Sequence, residues 1–271
     1  MEQADFVALV QAVQSLESIS LATRMSQLVG MPIEKAMAAL PGHWSTIASR
    51  MTKAALKKAL DGALYSLKSA PRVPSNKTHQ FLAGLSGAVG GSFGITALAI
   101  ELPVSATIML RSIADIARSE GEDIKAVDTK MACLTVFALS GGGGESESAD
   151  TSYYAVRSFL TKALSDSANH VAVHGFSKEG APALVKLLSA VSSRFSVPVS
   201  EKLAVQSLPA IGLIGGASVN LLFISHFQRM AKAHFTVRRL ERRYGEELIK
   251  QVYTEIVTSN TDNKRKSFES T

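Results

Sequence analysis

One cysteine, Cys133, stands among 271 residues. No intramolecular disulfide can form, and no thiolate-rich zinc site can be built. The scarcity fits a reducing compartment. A single tryptophan and an aromatic share of 6% leave too few rings for base-stacking platforms. No recognition motif for nucleic acid is present either, so no nucleic-acid partner is expected. Sustained alternation of polar and β-branched residues is missing, which argues against a sheet. The opening "MEQADFVALVQAVQSLES" has no basic n-region, apolar h-region or cleavage pattern. No signal peptide is expected.

What is present is material for helices. Hydrophobic residues make up 46% of the chain, enough to bury a real core. Alanine, serine and leucine are the commonest residues, and the apolar positions recur at helical spacing. An all-α fold follows, a multi-helix globular bundle. Val7, Val10, Ala12, Val13, Leu16 and Leu21 predict one helix over 3–29. Pro32 opens a short second helix. A third, from Trp44 to Ser69, carries a basic face of Arg50, Lys53, Lys57 and Lys58. Further helices are predicted near 124–140, 152–172 and 180–194. "VPVS" at 197–200 is expected to break the chain, and "APRVPSNK" at 70–77 to be a connection. Residues 1–258 read as one domain, and 259–271 as a disordered tail.

Two stretches stand apart. Residues 81–110 contain one charge, Glu101, and residues 203–227 contain none with histidine neutral. Either is long enough for a bilayer, which needs roughly 20 apolar residues. Both carry small residues four apart, such as Gly87 with Gly91 and Gly212 with Gly216, which let helix backbones approach closely. Yet each contains proline and polar side chains. Glu101 at mid-membrane would cost roughly 2.5–3.5 kcal/mol. Basic residues flank both ends, so no positive-inside asymmetry appears. The favoured reading is a central Gly-rich apolar helical hairpin covered by amphipathic helices. A small integral membrane protein is the alternative.

Nucleophile and phosphate motifs fail on inspection. "GFSKEG" at 175–180 is one residue too long for a nucleophile elbow. "GGGG" at 141–144 lacks the Lys-Ser/Thr of a phosphate loop. His170 and His174 have helical metal spacing but no adjacent acidic ligand except Glu179. Cys133 sits in an apolar helix, where packing is its ordinary role. No metal and no cofactor are expected.

Two polar stripes remain. On one helix Glu101, Ser105, Ser112, Asp115 and Ser119 fall within about 80° of arc. Pro103 is expected in the first turn, which would put Glu101 near the positive end of the dipole. On the other, Asn220, His234, Arg238 and Glu241 share a face. His226 points elsewhere, so one straight helix cannot give both histidines to one ion. The candidate catalytic groups are therefore Glu101 or Asp115 as base with His226 or His234 as partner, a hydrolase arrangement if the stripes meet. Arg238, Arg239, Arg242 and Arg243 form a basic cluster suited to a ligand or an anionic lipid headgroup.

At these residues the chain resembles the EcsC protein family of bacteria. The likeness rests on "GGSFGITALAIELPVSATIMLRSIADIARSEGED" and "VSEKLAVQSLPAIGLIGGASVNLLFISHFQRMAKAHFTVRRLERRYGEE", with Tyr153, Tyr154 and Arg157 between them. It covers about residues 45–255 and includes the motif positions Glu101, Pro103, Arg111, Asp115, Asn220, His226, Gln228, His234, Arg238, Arg239 and Glu241. The family takes its name from a gene beside two subunits of an ABC transporter, and its biochemical function is undefined. The resemblance implies a bacterial protein, cytoplasmic or peripheral at the inner membrane. A non-enzymatic accessory or regulatory role in transport or envelope processes follows as the expectation. Anionic inner-membrane lipid or a membrane transport protein is the expected partner.

Overall fold

Ten helices and no strand make up the described residues. The computed structural model describes residues 1–17, 20–38, 40, 44–66, 95–139, 153–174, 182–208 and 212–269. In chain order the helices are α1 (Gln3–Leu16), α2 (Leu21–Val29), α3 (Ile33–Ala38), α4 (Trp44–Ser66) and α5 (Ile95–Ser119). They continue as α6 (Val127–Leu139), α7 (Tyr153–His174), α8 (Pro182–Gln206), α9 (Gly212–Tyr244) and α10 (Glu246–Glu269). The connection at 70–77, the first half of the first apolar stretch and the glycine run at 141–144 lie outside the described residues.

The all-α expectation holds, with local corrections that have physical causes. The predicted helix over 3–29 is two helices. Ser20 caps the second by accepting the Thr23 N–H at 3.2 Å, which starts α2 afresh. Pro198 does not break the chain but lies buried inside α8. An interior proline costs a helix about 3 kcal/mol, and packing against α4, α6 and α7 outweighs it. Pro103 likewise sits inside α5, not in its first turn, so Glu101 is interior to the helix. The stretch 203–227 is divided between the end of α8 and the start of α9, with Pro209 between them. Finally, α10 runs on to Glu269 through the segment read as a tail. No proline or glycine interrupts residues 246–269, so the helical ladder can continue.

The helix enclosed on all sides is α6. Met131 through Ala138 are buried without a break. A helix apolar around its whole circumference belongs at the centre of a bundle. Phe137 on α6 meets Phe195 on α8 edge-on at 4.8 Å and Phe227 on α9 at 5.5 Å. Phe223 closes the group, 5.1 Å from Phe227. The centre is thus α6 held by α8 and α9, and the described part of the first apolar stretch lies beside it in α5.

α9 is the spine. At 33 residues it is about 50 Å long. Its first half enters the main core through Val219, Phe223 and Phe227. Its second half builds another apolar cluster, in which Ala233, Val237 and Leu240 meet Leu9 and Val13 of α1, Tyr153 of α7, and Ile249 and Tyr253 of α10. Among the described residues no single helix is long and apolar enough to cross a membrane.

Two glycines shape the end of the spine where charge collects. Gly121 follows α5 with φ +82°, and Gly245 joins α9 to α10 with φ +93°. Behind Gly121 the Glu122 N–H returns to the Ala117 carbonyl at 3.0 Å, a Schellman closure. A Cβ at Gly245 would meet nothing within 4 Å, and one at Gly121 only the end of Arg242 at 3.7 Å. The cost of a side chain is therefore backbone strain alone. Gly121→Ala and Gly245→Ala are each expected to lower stability by about 1–2 kcal/mol in denaturant titrations. Unchanged midpoints would place these turns outside the cooperative unit.

Candidate functional site

Asn220, Phe227, His234 and Glu241 do share one face of α9, and that face is buried or half-buried along its length. Its partners change from end to end. At Asn220 the side-chain oxygen accepts from Lys202 Nζ at 2.8 Å. Lys202 has no exposed surface, and its ammonium lies 5.1 Å from the centre of the Phe223 ring. A buried polar group needs such partners to offset its lost hydration.

About 100° round from that face, the Gln228 amide donates to Ser112 Oγ at 2.8 Å. This is a direct described bond between α9 and the polar stripe of α5. Of the other stripe members, Ser105 is buried, Asp115 pairs with Arg118 at 3.3 Å, and Ser119 bonds its own helix at the Ile116 carbonyl. Arg111 is exposed. The side chain of Glu101 lies outside the described residues.

Further along, α9 meets α7. Arg157 donates to Glu241 at 2.5 Å and to the Tyr153 hydroxyl at 3.2 Å, and Tyr154 donates to Glu241 at 3.0 Å. The Tyr153 oxygen lies 2.9 Å from His234 Nδ1. A guanidinium can only donate, so Tyr153 accepts from Arg157. The direction of its bond to His234 follows the imidazole tautomer. Burial, with the charges of Arg238 and Arg157, holds His234 well below the ordinary histidine range. It is neutral, and its Nε2 is buried with no hydrogen-bond partner among the described residues. An imidazole so enclosed offers a substrate no approach in this structure.

His226 is buried on a different face. Burial, helped by the charge of Arg24, lowers its pKa to about 4. The two histidines are thus separate, as their spacing predicts. Burial pushes the Cys133 thiol up to about 12, which makes it a packing residue. Among the described residues no group of three histidine, cysteine or carboxylate side chains is placed to hold a metal.

The basic cluster at the end of α9 is satisfied from within. Arg238 donates to Glu122 at 2.8 Å and to Asp128 at 2.8 Å. Arg239 bridges Glu120 at 2.8 Å and Asp5 at 3.0 Å. Arg242 pairs with Glu122 and donates to the Glu120 carbonyl at 2.8 Å. Arg243 reaches Asp5 at 2.7 Å. Lys232 pairs with Glu120. Glu120 and Glu122 are 5% and 6% exposed at the side chain, so the carboxylates are interior, while Lys232, Arg239 and Arg242 cover them from the rim and only Arg238 is largely buried with them. Burial opposes the charge on Glu122, yet Arg238 and Arg242 hold its carboxyl below the ordinary value. Arg239 and Tyr244 lower Asp5 in the same way.

Sequence reading missed the acidic half of this cluster. Glu120 and Glu122 flank the C-terminal end of α5, where the helix dipole disfavours negative charge. Two glutamates at that end are a signal that a cation from elsewhere covers them. Asp5 offered no comparable clue.

The arrangement defines an all-α protein whose spine helix is fixed to α1, the end of α5 and α7 by ion pairs with buried carboxylates. The chain belongs to the EcsC protein family, whose model matches residues 5–240. That match begins well before residue 45, the lower limit of the resemblance in sequence. Asp5 explains why α1 belongs to the unit, since it meets Arg239 and Arg243 of the signature helix. No curated protein matches the chain. No solved structure matches it either.

Proposed function

We propose that this is a non-enzymatic accessory protein, working by docking at the inner face of a membrane beside a transport or envelope process. One observation carries the non-enzymatic half. The signature groups best suited to chemistry are spent on one another: His234 on Tyr153, Glu241 on Arg157 and Tyr154, and Arg238 on Glu122. A catalytic constellation keeps a base or nucleophile turned toward a substrate, whereas this one is turned inward. Support for the docking half is the positive net charge, +6, which favours an anionic surface.

Fractionation of cells expressing the chain at low level tests the reading. In a low-salt lysate the protein is expected in the membrane pellet, and high salt without detergent is expected to release it. Recovery in the low-salt supernatant, together with indifference to anionic vesicles, would overturn the proposal.

A further inference from the structure

The cations suited to an anionic surface are not those of the spine helix. Arg50, Lys53, Lys57 and Lys58 of α4 are all exposed, and among the described residues none forms an ion pair. At 100° per residue they occupy about 140° of the helix circumference, over about 12 Å of its length. Among and beside them the exposed positions are Thr46, Ser49 and Ala54. The opposite face, Ala48, Thr52, Ala55, Leu56 and Ala59, is buried against the core. α4 therefore presents a half-cylinder of cations on small side chains, fixed by its packing on α5 and α8.

Charge distribution along the chain makes the same point independently. Residues 35–100 hold eight of the 29 basic side chains and one of the 23 acidic ones, Asp61. The remainder holds 21 bases against 22 acids and is close to neutral. The whole positive excess of the molecule is carried by α4 and its flanks in sequence.

We infer that the exposed face of α4 is a docking surface for an anionic lipid bilayer. This deepens the proposed function and rests on it. The chemistry favours lipid over nucleic acid. No described exposed position on this face carries an aromatic ring to stack on a base, or an amide to read one. Nor does it carry a large apolar side chain that would insert between acyl chains. Attachment is consequently electrostatic: shallow, reversible and screened within about 10 Å at 0.1 M salt. Each basic side chain near such a surface contributes roughly a fivefold factor in partitioning.

The full chain is tested by co-sedimentation with vesicles of phosphatidylcholine containing phosphatidylglycerol, against vesicles of phosphatidylcholine alone. Wild type is expected to bind the first and not the second. Arg50→Gln, Lys53→Gln, Lys57→Gln and Lys58→Gln together are expected to weaken partitioning by at least about a hundredfold. All four side chains are exposed, so the melting temperature should stay put. Arg243→Gln, at the spine, is expected to leave binding within about twofold. Wild-type binding that survives the fourfold change overturns the α4 surface while leaving a membrane role intact. Wild type that ignores both vesicles overturns the membrane reading itself. Wild type that binds random duplex DNA in preference to anionic vesicles replaces the lipid with nucleic acid.

Discussion

Glu122→Ala is expected to destabilise the protein by about 3–5 kcal/mol, the usual cost of removing one partner from a buried ion pair. The carboxylate serves Arg238 and Arg242 and also accepts the Thr129 hydroxyl at 3.1 Å. Without it, Arg238 keeps only Asp128, whose side chain is 76% exposed. A solvated carboxylate cannot repay the desolvation of an arginine 20% exposed at its side chain. Asp128→Ala should therefore cost under about 1 kcal/mol, although its distance to Arg238 is the same 2.8 Å. The contrast is the test, because burial and not distance separates the two. Thermal melts should fall by roughly 10 °C for Glu122→Ala and by no more than about 4 °C for Asp128→Ala. Equal shifts would mean that the seam is not desolvated.

That asymmetry also explains what was legible before the fold was known. The periodicity of α9 correctly puts Asn220, His234 and Glu241 on one face, because helical geometry is local. It could not say that the face meets Tyr153 and Arg157, which lie more than 80 positions away. Arg238 to Arg243 resemble a solvated or lipid-facing patch for the same reason. Nothing in "TVRRLERRY" shows that Glu120, Glu122 and Asp5 will be folded against it. Gln228 was legible only as a motif position, and its bond to Ser112 joins α9 to the polar stripe of α5 from outside the Asn220–Glu241 face.

Fold errors have the same origin. The segment near 124–140 reads as one helix among several, and the place of α6 at the centre follows from being apolar on every side. Pro198 reads as a break because its local cost is visible and its tertiary compensation is not. By contrast, the ends of α5 and α9 are marked locally. "ARSEGEDI" at 117–124 and "ERRYGEEL" at 241–248 both place glycine at a helix end with positive φ. Their likeness records a shared turn.

Glu201→Gln is expected to change the pH dependence of folding by about as much as the titration of His226, and with the opposite sign. Burial, reinforced by the charge of Glu34, raises Glu201 from 4.5 to about 7. A raised carboxyl binds a proton in the folded state while the unfolded chain has lost it. Stability therefore falls as pH rises from 4.5 through 7, by about 3 kcal/mol in all. His226 has the opposite sign. Its folded value of about 4 lies below the ordinary 6.5, so the unfolded chain takes up the proton first. Stability then falls as pH drops from 6.5 toward 4, again by about 3 kcal/mol. His234, also lowered, acts in the same direction. Between pH 4.5 and 6.5 the wild type thus sets Glu201 against His226, with His234 adding to the acid sensitivity. Below it Glu122 takes over, since a depressed carboxyl gives up its stabilisation as it is protonated. Glu201→Gln removes the counterweight. Against wild type it should gain about 3 kcal/mol near pH 8, and the gain should shrink to nothing by pH 4.5. Denaturant titrations across that range measure the slope directly, and the slope is insensitive to any fixed cost of burying the amide. Parallel curves for the two proteins would show that Glu201 titrates in the folded state as it does in water.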